Sequence, residues 1–298
     1  MEKRRFGSTD MEVSVLGFGG AEIGYQGATE KEVTALFESA LEAGLSVIDT
    51  AECYMNSEEL IGNTISHRRH EYYLFTKCGH ASGMQGSDWD PVMLAAQIDR
   101  SLMRLKTDHV DVIHLHSCSE EILQQGAVIE VLQHAKQAGK TRYIGYSGDG
   151  KAALWAVQSG LFDSLETSVN IADQEAIELT IPKALERGMG VIAKRPIANA
   201  AWRSGSLPDD EYARPYYHRL QALNYDFLNG KVSDSIAKAL RFTLTVPGVN
   251  TAIVGTAKPH RYRENVEMAA QGSLSAEDFQ TIRSRWHEVA KSDWVGLI

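Results

Sequence analysis

Four residues of this 298-residue chain make a chemically coherent set: Asp49, Tyr54, Lys77 and His116. A free tyrosine has a pKa of about 10, too high for ready proton donation at neutral pH. A neighbouring ammonium lowers it by favouring the phenolate, and Lys77 can supply one. A buried ammonium needs a partner to keep its proton, and Asp49 can be that partner. His116 can donate a hydrogen bond to a substrate oxygen and orient it. The ensemble suits proton transfer to an oxygen that gains charge, as in hydride reduction of a carbonyl. Each residue alone has a plainer reading. An aspartate at a strand end often caps a helix, a lone tyrosine or lysine says little, and a histidine on a strand is more often a satisfied core residue. What favours the set is that every member falls at a predicted strand end or in the loop after it.

The elements that must position these residues alternate along the whole chain. Strands are predicted near Val13 to Gly17, then over Leu45 to Asp49, Tyr72 to Lys77, His109 to His116, Thr141 to Ser147, Leu165 to Asn170, Gly190 to Lys194 and Thr251 to Val254. Amphipathic helices fill the gaps. Thr29 to Glu32 has the form of a capping box, followed by Val33, Leu36, Phe37, Ala40 and Leu41 at helical spacing and by Gly44 as a stop. Ser57 is expected to cap the next helix. Asp90 and Pro91 suit the N-cap and first helical positions, and Gly139 ends a later helix. Such alternation implies a parallel sheet, and eight parallel strands most simply close into a (β/α)8 TIM barrel. The doubly wound rival usually carries a Gly-x-Gly-x-x-Gly turn; Gly17, Gly19, Gly20 and Gly24 do not match that spacing. Roughly Arg195 to Gly230 is a long break in the rhythm and is expected to serve the active-site face. Ser273 to Ile298 adds a C-terminal helical extension. No linker divides the chain, so residues 1–298 are expected to form one domain.

Composition narrows the function. Apolar residues make up 43% and charged residues 23%, the mix of a globular protein. A net charge of −9 argues against general nucleic-acid binding, so any anionic ligand needs a local basic cluster. No stretch reads as a signal peptide or a membrane span. Cys53, Cys78 and Cys118 do not make a disulfide framework and fit a reducing compartment, with the cytoplasm as default.

Several motifs, taken in order, resemble the aldo-keto reductase family along nearly the full length. They are VSVLGFGG, VIDTAECY, NSEELIG, LFTKCG, SLMRLKTDHVDVIHLH, GKTRYIGYS and the late VGTAKPHRYREN. The resemblance implies that Asp49, Tyr54, Lys77 and His116 are a catalytic tetrad, with Tyr54 as general acid and base. It also implies NADPH as cofactor and a small-molecule carbonyl as substrate. Gly19 and Gly20 fall in the opening motif and are counted with the cofactor positions. Ser147 matches a serine that touches the nicotinamide carboxamide. Three nearby places depart from the family's habit. Gly148 then Asp149 stand where asparagine is usual, Glu166 replaces a glutamine, and Lys194, followed by Arg195 and Pro196, takes the place of a stacking aromatic. Gly255, Thr256, Arg261, Glu264 and Asn265 resemble an adenosine-phosphate site, where backbone amides and a forked arginine charge can hold phosphate. The plain reading of that segment is a helix start with a solvated arginine.

Other readings stay open. His114 and His116 make a His-x-His pair on one strand face, as in metal-dependent barrel hydrolases, with Asp49 the only obvious further ligand and Lys77 opposing a cation. The expectation is no metal, with His114 filling a barrel layer beneath His116. The three cysteines each lie within two residues of a tetrad member; packing is their expected role, redox sensitivity the alternative. A cofactor-sensing regulatory subunit with little turnover is a third possibility. The substrate and the oligomeric state are not legible.

Overall fold

A computed structural model describes residues 1–297; Ile298, the last residue of the expected domain, lies outside the described residues. Two short strands, β1 (Lys3–Arg5) and β2 (Glu12–Ser14), pair as an antiparallel hairpin. Eight parallel strands follow: β3 (Leu16–Gly19), β4 (Val47–Asp49), β5 (Tyr73–Cys78), β6 (Val110–His116), β7 (Thr141–Ser147), β8 (Ser164–Ser168), β9 (Gly190–Lys194) and β10 (Thr251–Gly255). They pair in chain order, and β10 closes on β3 to complete the barrel. No helix among the described residues is long and apolar enough to cross a membrane.

The opening strand is displaced from its expected place. Val13 and Ser14 belong to the hairpin, and the first barrel strand is Leu16–Gly19. Two glycines in four residues give that strand little intrinsic strand propensity, so the β-branched run before it carried the signal. Phe18 pairs with Val254 and Gly19 with Gly255. Ser57 is a second correction. The helix of residues 57–65 begins there, but Asn56 holds the N-cap position without a side-chain bond. The Ser57 hydroxyl instead donates to the Gly20 carbonyl (2.7 Å) and lies 2.9 Å from Thr50 Oγ1, tying the ends of β3 and β4 to the next loop. The Thr29 capping box and the Asp90 cap form as expected.

The hairpin closes the N-terminal end of the barrel. Phe6, Met11 and Val13 pack with the inward residues Val47, Phe75, Val112, Ile192 and Ile253. The phenyl rings of Phe6 and Phe75 lie 5.5 Å apart. Between β9 and β10 the long segment is not structureless. It holds a tight turn at residues 198–200, a helix over Arg214–Leu223 and a turn at Asp226–Asn229.

Candidate active site

The C-terminal ends of the strands carry the residues singled out from sequence. Asp49 ends β4, Lys77 lies one residue before the end of β5, and His116 and Ser147 end β6 and β7. Glu166 lies within β8, and Lys194 ends β9. Gly19 and Gly255 face each other where β3 and β10 end. In a barrel this is the face on which strand ends and loops can converge.

Tyr54 stands on the loop after β4, and that loop is tightly held. Thr50 N donates to Phe75 O (2.9 Å) and Glu52 N to Lys77 O (3.1 Å). The buried Glu52 carboxylate takes Arg100 and Arg104 from the helix of residues 91–105. Lys77 is fully enclosed. Its ammonium is paired with Asp49, donates to Thr50 O (3.0 Å) and lies 3.3 Å from Glu166. The same ammonium is 5.5 Å from the centre of the Tyr54 ring. The Tyr54 and His116 rings meet edge to face at 5.6 Å. Thus the structure brings all four members of the set together.

The electrostatics follow from burial and charge. The two carboxylates hold the Lys77 ammonium firmly charged, against the effect of burial. Burial drives the Tyr54 phenol above its ordinary range, and Lys77 opposes this without overcoming it. Lys77 thus acts on Tyr54 in the lowering direction, and desolvation outweighs it. Asp49 is pushed up by burial and by Glu166 beside it. His116 is pushed well below its ordinary value by burial and the Lys77 charge, so its imidazole is neutral. Its Nδ1 lies 3.4 Å from Cys53 Sγ. Burial raises that thiol to about 11, so it carries its proton and can donate to Nδ1. A neutral imidazole so bonded has its N–H on Nε2.

His114 is separate from this group of rings. It is fully buried, 3.0 Å from Ser164 Oγ through Nε2, and burial lowers it to about 4. The imagined metal pair does not converge. Donor atoms of Asp49, His114 and Glu166 do lie within 4.8 Å of one another, and His116 joins no such cluster among the described residues. The Lys77 ammonium, paired with Asp49 and Glu166, is already the cation of that cluster.

Two of the three sequence departures are joined to each other. Lys194 Nζ pairs with Asp149 at 2.9 Å, and both side chains are largely enclosed. Asp149 also accepts from Thr167 Oγ1 and Ser168 N, each at 2.7 Å. Gly148 is required because a side chain there would meet the Tyr146 ring. Arg195 has a left-handed backbone (φ 54°); its guanidinium bonds Ser168 Oγ (3.0 Å) and the Leu297 carbonyl. The Pro196 carbonyl accepts from Thr243 Oγ1 at 2.9 Å.

Polar atoms without partners test whether this end fits a nicotinamide. Ser147 Oγ and Asn170 Nδ2 are buried with no hydrogen-bond partner in the chain. A buried hydroxyl and amide left in this way suit a ligand with its own amide. Sequence reasoning missed Asn170, whose only signal is a polar residue closing an apolar run. It also missed residues 198–200, where Ala198, Asn199 and Ala200 are all left-handed with φ of 46°, 53° and 49°. Three such non-glycine residues in a row are costly and point to a functional loop, but their residue types give no warning. A second locus lies on the helix of residues 259–269. Arg261 is 3.5 Å from Glu264, half exposed beside an open groove, and Asn265 is buried. Thr256 Oγ1 accepts from Lys258 N (3.0 Å) at the start of that helix. The tetrad and this locus are separate groupings.

Known proteins match this arrangement. An oxidoreductase of Bacillus subtilis, YqkF, is 28% identical over 95% of this chain and 96% of its own length. L-galactose dehydrogenase of Arabidopsis thaliana is 27% identical over 95% of this chain and 92% of its own. The solved holo form of aldo-keto reductase AKR11C1 from Bacillus halodurans superposes with a TM-score of 0.84 at 26% identity, covering 99% of both chains. The Aldo/keto reductase family profile matches residues 15–287. This chain belongs to the aldo/keto reductase family and is an NAD(P)H-dependent oxidoreductase of small carbonyl compounds.

Proposed function

We propose that the enzyme reduces an aldehyde or ketone to an alcohol with NADPH, Tyr54 giving the proton. The observation that carries this reading is the Lys77 ammonium, locked by Asp49 and Thr50 O within 5.5 Å of the Tyr54 ring. When bound, the cofactor supplies the hydride. Ser147 and Asn170 are the buried donors suited to its amide, and Asp49, Glu166 and the Lys194–Asp149 pair line the same end. Gly19, Gly20, Arg195 and Pro196 shape the backbone around it. The His116 Nε2–H, held in place through Cys53, hydrogen-bonds the carbonyl oxygen and aims it at Tyr54. As charge develops on that oxygen, Tyr54 transfers its phenolic proton, and Lys77 stabilises the phenolate left behind.

NADPH rather than NADH rests on the second locus. The chain is acidic overall, so preference must come from local groups. Arg261 offers a forked charge for a 2′-phosphate, with Lys258 beside it and Gly255, Thr256, Glu264 and Asn265 forming the rest of the cradle. All three cysteines are free thiols, which supports a reducing compartment such as the cytoplasm. The barrel and its C-terminal helix read as one domain.

Tyr54→Phe tests the mechanism with a panel of carbonyl substrates followed by NADPH absorbance. Cofactor binding should persist while reduction falls at least about a hundredfold, the usual scale of general acid catalysis. Near-normal turnover in that variant would remove Tyr54 from the mechanism.

A further inference from the structure

The loop after β5 presents two rings to the barrel mouth. Gly79 takes a backbone conformation that favours glycine (φ 144°), and a side chain there would run into the Trp89 ring. Trp89 N donates to Gly79 O (2.9 Å) and Gly79 N to Gln97 Oε1 (3.0 Å), so the loop folds back over its own start and is held to the helix of residues 91–105. Trp89 is itself left-handed (φ 67°), a strained way to aim a large side chain. Between Trp89 and the tetrad stands His80. Its half-buried ring meets Trp89 at 5.5 Å and His116 at 5.3 Å, both edge to face. With Tyr54 against His116 and Tyr25 against Tyr54, a row of rings crosses the mouth. His80 Nδ1 lies 3.1 Å from Asp88 Oδ2, and Asp88 Oδ1 accepts from Ala81 N at 2.7 Å. That amide, and then His80, hold the Asp88 carboxyl below its usual range, so it is a carboxylate and can only accept. Nδ1 therefore carries a proton, and Nε2 is the free position of the ring. It accepts on the neutral ring and donates on the charged one. A hydroxyl, which does both, meets either state.

We propose that His80 is a specificity-determining residue: its Nε2 hydrogen-bonds a hydroxyl on the carbon beside the reacting carbonyl, so the enzyme prefers hydroxy-aldehydes and hydroxy-ketones. This rests on the reading of His116 as the group that holds the carbonyl oxygen. Two rings in contact, each holding one substrate oxygen, suit oxygens on neighbouring carbons. Asp88 is a positioning residue, since it acts on the substrate only by fixing the tautomer and angle of the His80 ring. Trp89 backs that ring on the side away from His116.

The test is the ratio of kcat/KM for lactaldehyde to that for propanal, two aldehydes that differ only by this hydroxyl. Comparing the ratio between proteins cancels the intrinsic reactivity of the two compounds. In His80→Phe, which keeps a flat ring without a nitrogen, the ratio should fall about 3- to 10-fold, the worth of one hydrogen bond. His80→Gln, whose amide can reach the place of Nε2, should keep most of the parent's ratio. Asp88→Ala should lower the ratio too, and Asp88→Asn, whose amide oxygen still accepts from Nδ1, should restore it. A merely structural role for the loop would slow both aldehydes alike and leave the ratio unmoved. Asp88 is exposed, so its variants decide the matter if His80→Phe does not fold. The parent's ratio retained in His80→Phe, or in Asp88→Ala should that variant be needed, overturns the proposal. Both aldehydes are then still reduced, which separates this outcome from failure of the catalytic reading, decided by the turnover of Tyr54→Phe alone.

Discussion

The two ends of this barrel are built from the same strands and obey opposite rules. On β5, Phe75 faces the closed end and Lys77 the open one; on β6, Val112 gives way to His114 and His116; on β9, Ile192 gives way to Lys194. Two residues along a strand, on the same face, separate a dry apolar layer from a set of buried charges. At the closed end the hairpin residues Phe6, Met11 and Val13 complete an apolar cluster. At the open end every charge has a partner or a near neighbour, and loops braced by Glu52 hold the phenol above them. Stability is concentrated at one end and reactivity at the other. Substitutions at the two ends should therefore fail in different ways.

The largest effect is expected at the closed end. Phe6 is fully buried there, far along the chain from every tetrad member. Phe6→Ala should lower folding stability by about 3–5 kcal/mol, read as a fall in the urea midpoint. The folded fraction should keep its parent kcat. A loss of kcat with an unchanged midpoint would mean that the two ends are not independent.

At the open end the order reverses. Lys77→Met should lower reduction by at least about a hundredfold, comparable to losing the tyrosine, because the residues act as a unit. Combining it with Tyr54→Phe should add little further loss. Multiplicative losses in the double variant would show that Lys77 and Tyr54 act separately.

The smallest effect belongs to the second locus, outside both ends. Arg261→Ala should weaken NADPH by about 10- to 150-fold, the worth of one charge-assisted hydrogen bond, and leave NADH nearly unchanged. Binding titrations of both cofactors against both proteins decide it. Equal weakening of the two would mean that Arg261 supports the helix and that phosphate is read elsewhere.

The open end was more legible in the sequence than the closed one. Asp49, Lys77 and His116 stand at or near the ends of strands with clear apolar runs and Tyr54 on the loop after one, so their convergence follows once a barrel is assumed. The hairpin was missed because β1 and β2 have three residues each, too few for a period to show. β3 was misplaced because Leu-Gly-Phe-Gly owes its extension to pairing with β4 and β10 and not to its own residues. The linkage of Asp149 to Lys194 and of Glu166 to Lys77 was invisible for another reason. Each pair joins different strands, and the register between strands is a tertiary fact that one sequence does not display. Taken singly, these residues looked like departures from a pattern; in the fold they are partners.

The apolar plug at the closed end also fixes how the enzyme is reset. On the reading proposed for Tyr54, every turnover spends its phenolic proton, and the next cycle needs another. The layer of Phe6, Met11, Val13 and Phe75 is apolar and offers a proton no relay from the closed end. The replacement must arrive from solvent by the mouth through which the alcohol leaves. Product departure and proton resupply thus share one door, and a molecule lingering in that door delays both.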